Sequence, residues 1–246
     1  MPDFESPSLW RISAFDALRK TIASSAYAGL QRQTLISSTL QAELRLMDRR
    51  REGADALEAI AACVRLRESA LIYLQYEDRI WPVTMFPNDM LYHSPRSLML
   101  GGGRGLRTVK LVDIEPATVR PPGHWMHERI ASAQSYHPLA PALWKLALQG
   151  PRAKLLAEIG GTAAYRALRK LADEDVAIPG ALAPAAERLR KETAPLRRIA
   201  TWPGMSVERA SRMLNALYLS SNLIVSRTHH TARTGLFDWL LGSRKH

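Results

Sequence analysis

The sequence predicts a helix-rich α+β protein: N-terminal helices with a short antiparallel sheet, a helical middle, and a C-terminal helix-turn-helix unit that runs into a strand. Three observations predict it. Apolar residues recur at spacings of three and four over residues 9–68, the period of helices with one face buried. From Ala70 the period changes to a β-rich pattern. Near the C-terminus a Pro-Gly turn and a serine separate two short stretches that are again apolar at helical spacing.

In the first stretch, Leu40, Leu44 and Met47 lie on one helix face, and Leu57, Ile60, Ala61 and Val64 form a second stripe, with Gly53 between them. Ala70 to Tyr76 and Arg79 to Phe86 then form a hairpin around Glu77-Asp78. Pro82 lacks an amide proton, so the second strand is expected at an edge or with a bulge there. Thr108 to Ile114 is a third strand, closed by Glu115-Pro116. After Pro121-Pro122-Gly123 short helices are expected at Pro141–Gln149, Pro151–Ile159 and Thr162–Asp173, the prolines standing where a first helical turn needs no donor. Asp173 to Pro184 reads as a linker. The predicted organisation is an α+β domain over 1–120, a helical connector over 121–184, a third domain over 185–234 and an amphipathic tail over 235–246.

Charge narrows the partners. The chain of 246 residues carries a net charge of +11, and eleven Lys and Arg stand against four Asp and Glu from Ala186 onward. Such an excess concentrates polyanions at a surface, so nucleic acid is the favoured partner. A single cysteine, Cys63, excludes an internal disulfide framework and any multi-cysteine zinc site; its apolar neighbours mark it as a buried small hydrophobe. No apolar run approaches the roughly 18 residues of a membrane helix, and Asp3 and Glu5 do not suit a signal peptide, so a cytoplasmic location is expected.

The C-terminal segment carries the strongest motif. Leu196 to Ala200 makes a short helix, and Trp202-Pro203-Gly204-Met205 makes a turn in which glycine permits a positive φ. Ser206 is placed as the N-cap of a second helix, with Glu208 near its positive end. Val207, Ala210, Met213, Leu214 and Leu217 form the inward stripe; Glu208, Arg209, Ser211, Arg212 and Asn215 occupy the opposite face, a set able to touch phosphates and donate to base edges through its arginines, serine and asparagine. Asn222 is expected to end this helix in a left-handed conformation, and Leu223 to Ser226 is a strand leading to the basic run Arg227 to Arg233.

In these features residues 195–228 resemble the winged-helix, helix-turn-helix segments of bacterial transcription regulators. The resemblance covers under a sixth of the chain and does not extend to the N-terminal domain. It implies a winged-helix-like third domain that binds double-stranded DNA. Arg209, Ser211, Arg212 and Asn215 would serve recognition, and Arg197, Arg198 and Arg227 phosphate contact, with Ser206 and Arg233 beside them. It also implies a homodimer matching two-fold sites. The same fold serves as a protein-docking module, so the alternative is a signalling or assembly adaptor.

Other motifs are weaker. His124 and His127 stand three apart without the His-Glu-x-x-His pattern, so no metal is expected. Gly101 to Gly105 lacks the Lys-Ser/Thr of a phosphate-binding loop and reads as a plain loop. No cofactor and no catalytic constellation is expected, and the chain is not read as an enzyme. In the tail, Leu236, Phe237, Trp239, Leu240 and Leu241 form an apolar run ending in Arg244-Lys245, a candidate docking peptide for a protein partner. It is too short to hold a membrane surface alone, so a membrane is not an expected partner.

Overall fold

Strand β1 (Trp10–Arg11) leads directly into helix α1 (Ile12–Ser24), and α2 (Ser38–Arg49) and α3 (Ala56–Leu66) complete the N-terminal helices. The structure is a computed structural model that describes residues 9–24, 36–49, 55–100, 106–124, 135–169 and 180–227. Over these residues the protein is mixed α/β, with antiparallel sheets. The chain divides into two compact units, Met1–Ala153 and Lys154–His246, so the boundary falls inside the stretch expected as a connector.

In the first unit Asp55 caps α3 by accepting from the Leu57 amide, and α3 ends with Arg67 in the left-handed region, φ 55°. Of the expected apolar stripe, Leu57, Ile60 and Ala61 are buried and Val64 is half-buried. Cys63 is buried too, and burial pushes its thiol up to about 12. Arg152 closes over the N-terminus of α3, pairing with Asp55 at 2.5 Å and Glu58 at 2.6 Å.

The hairpin forms as expected: β2 (Ala70–Tyr76) pairs antiparallel with β3 (Arg79–Phe86) around Glu77-Asp78. With β4 (Leu91–His93), β5 (Lys110–Pro116) and β6 (Tyr136–Pro138) they make a sheet ordered β5-β2-β3-β4-β6, with β1 also on β3. Strand β5 is shifted from the expected Thr108–Ile114 and runs through Glu115-Pro116 instead of stopping there. Phe15 of α1 packs on Leu71, Tyr73 and Ile80, with Trp10, Ile12 and Val112 at the margin.

Pro82 is neither on an edge strand nor at a bulge. Strand β1 meets β3 at Arg79 and Ile80, and β4 meets it from Thr84 to Phe86, so Pro82 falls in the gap between two end-to-end partners. Its carbonyl accepts from Ser94 Oγ (3.1 Å), and a strand residue turns its N and C=O the same way. The missing amide proton therefore faces the gap and removes no ladder bond to β2. The register shift lies elsewhere, between β2 and β5 at Tyr73/Leu74.

Helix α4 (Leu139–Gln149) matches the expected helix at Pro141. The next two expected helices do not form. Residues 151–159 are irregular, with one 3-10 turn at Ala157–Ile159, and Thr162–Asp173 contains strand β7 (Ala163–Ala167). In β7, Ala163, Tyr165 and Ala167 are buried and Arg166 is exposed, a period of two that alanine's helical preference masks.

In the second unit β7 is followed by α5 (Leu182–Lys191), which takes Pro184 of the expected linker into its first turn; 170–179 lie outside the described residues. Then come β8 (Ala194–Pro195), α6 (Leu196–Ile199), α7 (Val207–Leu219) and β9 (Leu223–Arg227). The sheet order is β8-β7-β9, all antiparallel. A wing would be a hairpin following β9, but the described partner of β9 is β7, which precedes α5. Thr228 onward, including Arg233 and the tail residues Leu236, Phe237, Trp239, Leu240 and Leu241, lies outside the described residues.

Candidate nucleic-acid interface

Helix α6, its turn and the start of α7 form the candidate surface. Gly204 takes φ +71°, as the turn requires, and a Cβ there would lie 2.5 Å from Ala181 Cβ. Ser206 caps α7, its Oγ accepting from the Arg209 amide at 3.2 Å. Trp202 is buried beneath the turn, with the Arg188 guanidinium 4.6 Å above its ring. Helix α7 ends in a Schellman motif: Ser221 is left-handed at φ 54° and donates to Tyr218 O, while Asn222 donates to Leu217 O. The left-handed residue is therefore Ser221 and not Asn222. The Asn222 side chain instead accepts from the Arg169 amide at 2.7 Å and donates to its carbonyl at 3.2 Å, holding the end of β7.

Four of the expected arginine contacts are exposed, as is Ser206. Arg197 stands free of any carboxylate among the described residues. Arg198 donates to Glu192 Oε2 at 3.1 Å. Arg209 donates to the Gly204 carbonyl at 2.7 Å, which lays its side chain along the turn. Arg227, at the end of β9, donates to the Glu158 carbonyl.

Three others are placed differently from the expectation. Ser211 is buried, with its hydroxyl donating to Val207 O at 2.8 Å. Asn215 is fully buried; its Oδ1 accepts from the Leu156 amide and its Nδ2 donates to the Lys154 carbonyl, both at 2.9 Å. With no exposed surface and its amide tied to two backbone groups, Asn215 does not reach a base edge. Arg212 is only 11% exposed in its side chain and donates to Glu208 Oε1 at 2.9 Å, an i,i+4 pair. The inward stripe holds at Ala210, Met213, Leu214 and Leu217, but Val207 is 60% exposed. Most of the α7 circumference is covered, because residues 154–156 cross the face that a two-sided helix would leave open. The exposed arc is Ser206 to Arg209.

Sequence periodicity missed Arg188. It stacks on Trp202 and donates to Glu192 Oε1 at 2.5 Å, so Glu192 bridges Arg188 and Arg198. The i,i+4 spacing of Arg188 and Glu192 was the available signal. On the same helix Glu187 is held below the usual carboxylate range, chiefly by its hydrogen bond from Arg190.

Among the described residues no group of three His, Cys, Asp or Glu is placed to hold a metal, and no helix is long and apolar enough to cross a membrane. His124 is described, while His127 and Gly101 to Gly105 lie outside the described residues. Comparison with known proteins finds no family model, no curated protein and no solved structure that matches the chain.

Proposed function

We propose that this is a cytoplasmic DNA-binding regulatory protein whose α6-turn-α7 segment, in a winged-helix-like unit, grips the backbone of double-stranded DNA. The observation that carries the proposal is the exposed set Arg197, Arg198 and Arg209 around the Gly204 turn, beside which stand two carboxylates already paired within the unit, Glu192 with Arg188 and Arg198 and Glu208 with Arg212. Cations so placed release counterions from phosphates, and the start of a helix adds its positive pole. With Ser211 and Asn215 inside the fold, contact with bases falls to the first turn of α7, as in helix-turn-helix proteins that read with the start of the second helix. Binding is then dominated by backbone and shape, with modest sequence preference.

The test is a salt titration of binding to a random-sequence duplex by fluorescence anisotropy. Replacing both Arg197 and Arg209 by Ala is expected to lower the slope of log affinity against log salt by about 0.9 for each lost phosphate contact. An absence of DNA affinity at low salt would overturn the proposal. A protein-docking adaptor would then stand in its place, the reading favoured by the exposed Val207, Leu168 and Ile224, which are large apolar side chains that a DNA backbone does not cover.

A further inference from the structure

Sheet edges expose unpaired amides and carbonyls, and proteins blunt them with proline, charge or brevity. Strand β5 carries Lys110, Asp113, Glu115 and Pro116; β6 is three residues long and ends in Pro138; β8 is two residues long and contains Pro195. Strand β9 has none of these devices along Leu223-Ile224-Val225-Ser226, and among the described residues only β7 lies beside it.

The ladder shows which groups the open edge presents. The Leu168 amide donates to Asn222 O at 3.2 Å, and the register pairs Ala167 with Leu223 and Ala163 with Arg227. Bonded and non-bonded pairs alternate, so Ile224 and Ser226 turn their backbone groups to β7, and Leu223, Val225 and Arg227 turn theirs outward.

We propose that β9 is a strand-addition site for a second copy of this chain, paired antiparallel about a two-fold axis at Val225. In that register Val225 bonds its own counterpart and Leu223 bonds Arg227 of the other copy, so every outward amide and carbonyl of the strand finds a partner. Ile224, exposed in one copy, faces Ser226 and lies diagonal to the second Ile224 on the same face. The result is one continuous sheet formed by the β8-β7-β9 sheets of two copies.

Charge is compatible with this occupant. The two Arg227 side chains end up on opposite sides of the axis, about 14 Å apart along the strands, beyond a Debye length of about 8 Å. Each lies opposite Leu223 of the other copy, and its guanidinium stays on the Glu158 carbonyl of its own copy. The proposal concerns β9 alone and does not depend on whether α6 and α7 meet DNA.

Sedimentation equilibrium of the full chain without DNA, across micromolar concentrations, tests it together with amide exchange. The expected result is a reversible dimer, with the amides of Leu223, Val225 and Arg227 gaining protection as concentration rises. Val225→Pro removes only an outward donor and, acting twice at the axis, is expected to weaken the dimer by about thirtyfold with an unchanged circular dichroism spectrum. Should that variant fail to fold, Val225→Lys keeps the amide and opposes two like charges at the axis, with the same expected loss. A monomer at all concentrations, including one in which the Val225 amide is already protected, would overturn the proposal. So would a dimer indifferent to both substitutions.

Discussion

Asn215 and Gly204 illustrate how far a single residue's partners decide its role. Asn215 satisfies two backbone groups of the chain that crosses α7, at Lys154 and Leu156. Asn215→Ala strands both, at about 1–3 kcal/mol each, so it is expected to lower the urea midpoint while leaving the salt dependence of DNA binding unchanged. A changed salt slope with unchanged stability would restore Asn215 to the DNA surface. Gly204 combines a positive φ with a neighbour too close for a side chain. Gly204→Ala is expected to destabilise by about 2–4 kcal/mol, from left-handed strain and overpacking, as read by urea denaturation. The Ser206 cap and the glycine turn were legible in the sequence because their causes lie within a few residues. The burial of Asn215 was not, since the backbone groups that hold it arrive from residues 154–156.

Elements show the same division between local and distant causes. The β2-β3 hairpin, α3 and α7 announce themselves through period and caps. Strand β7 reads as helix in the sequence because Ala-Ala-Tyr-Arg-Ala suits either state in isolation, and only its pairing with β8 and β9 selects the strand. Pro82 follows the same logic, being tolerated in an interior strand because of where β1 and β4 stop. The end of α7 offers a test at this scale. Ser221 is exposed and left-handed, so Ser221→Gly is expected to raise stability by about 0.5–1 kcal/mol, measured as a higher urea midpoint. A lower midpoint would mean that the serine side chain contributes something its backbone conformation does not show.

At the scale of the molecule, titration follows burial. Burial raises Tyr73, Tyr92 and Tyr165 above the ordinary tyrosine value of 10.0, and raises Cys63 from 9.0 to about 12. The unfolded chain therefore releases these protons first. The stability they contribute is fully present below pH 9 and is lost as pH rises, first through the cysteine and above pH 10 through the tyrosines. Urea midpoints at neutral pH and above pH 10 are expected to differ, the alkaline one being lower; equal midpoints would contradict the burial of these groups. The order of strands has a consequence for synthesis. The middle strand of the second unit's sheet, β7, is made before either neighbour, and its pairing with β9 waits until the chain has advanced from Ala167 to Leu223. At ribosomal speeds of about 5–20 residues per second that interval is roughly 3–11 seconds, during which the β9-facing edge of β7 stays open, the other edge being available to β8 once Pro195 has been made. The nascent chain is thus most exposed to mispairing and to chaperone capture in that window, and slow codons placed after Arg227 would do nothing to shorten it.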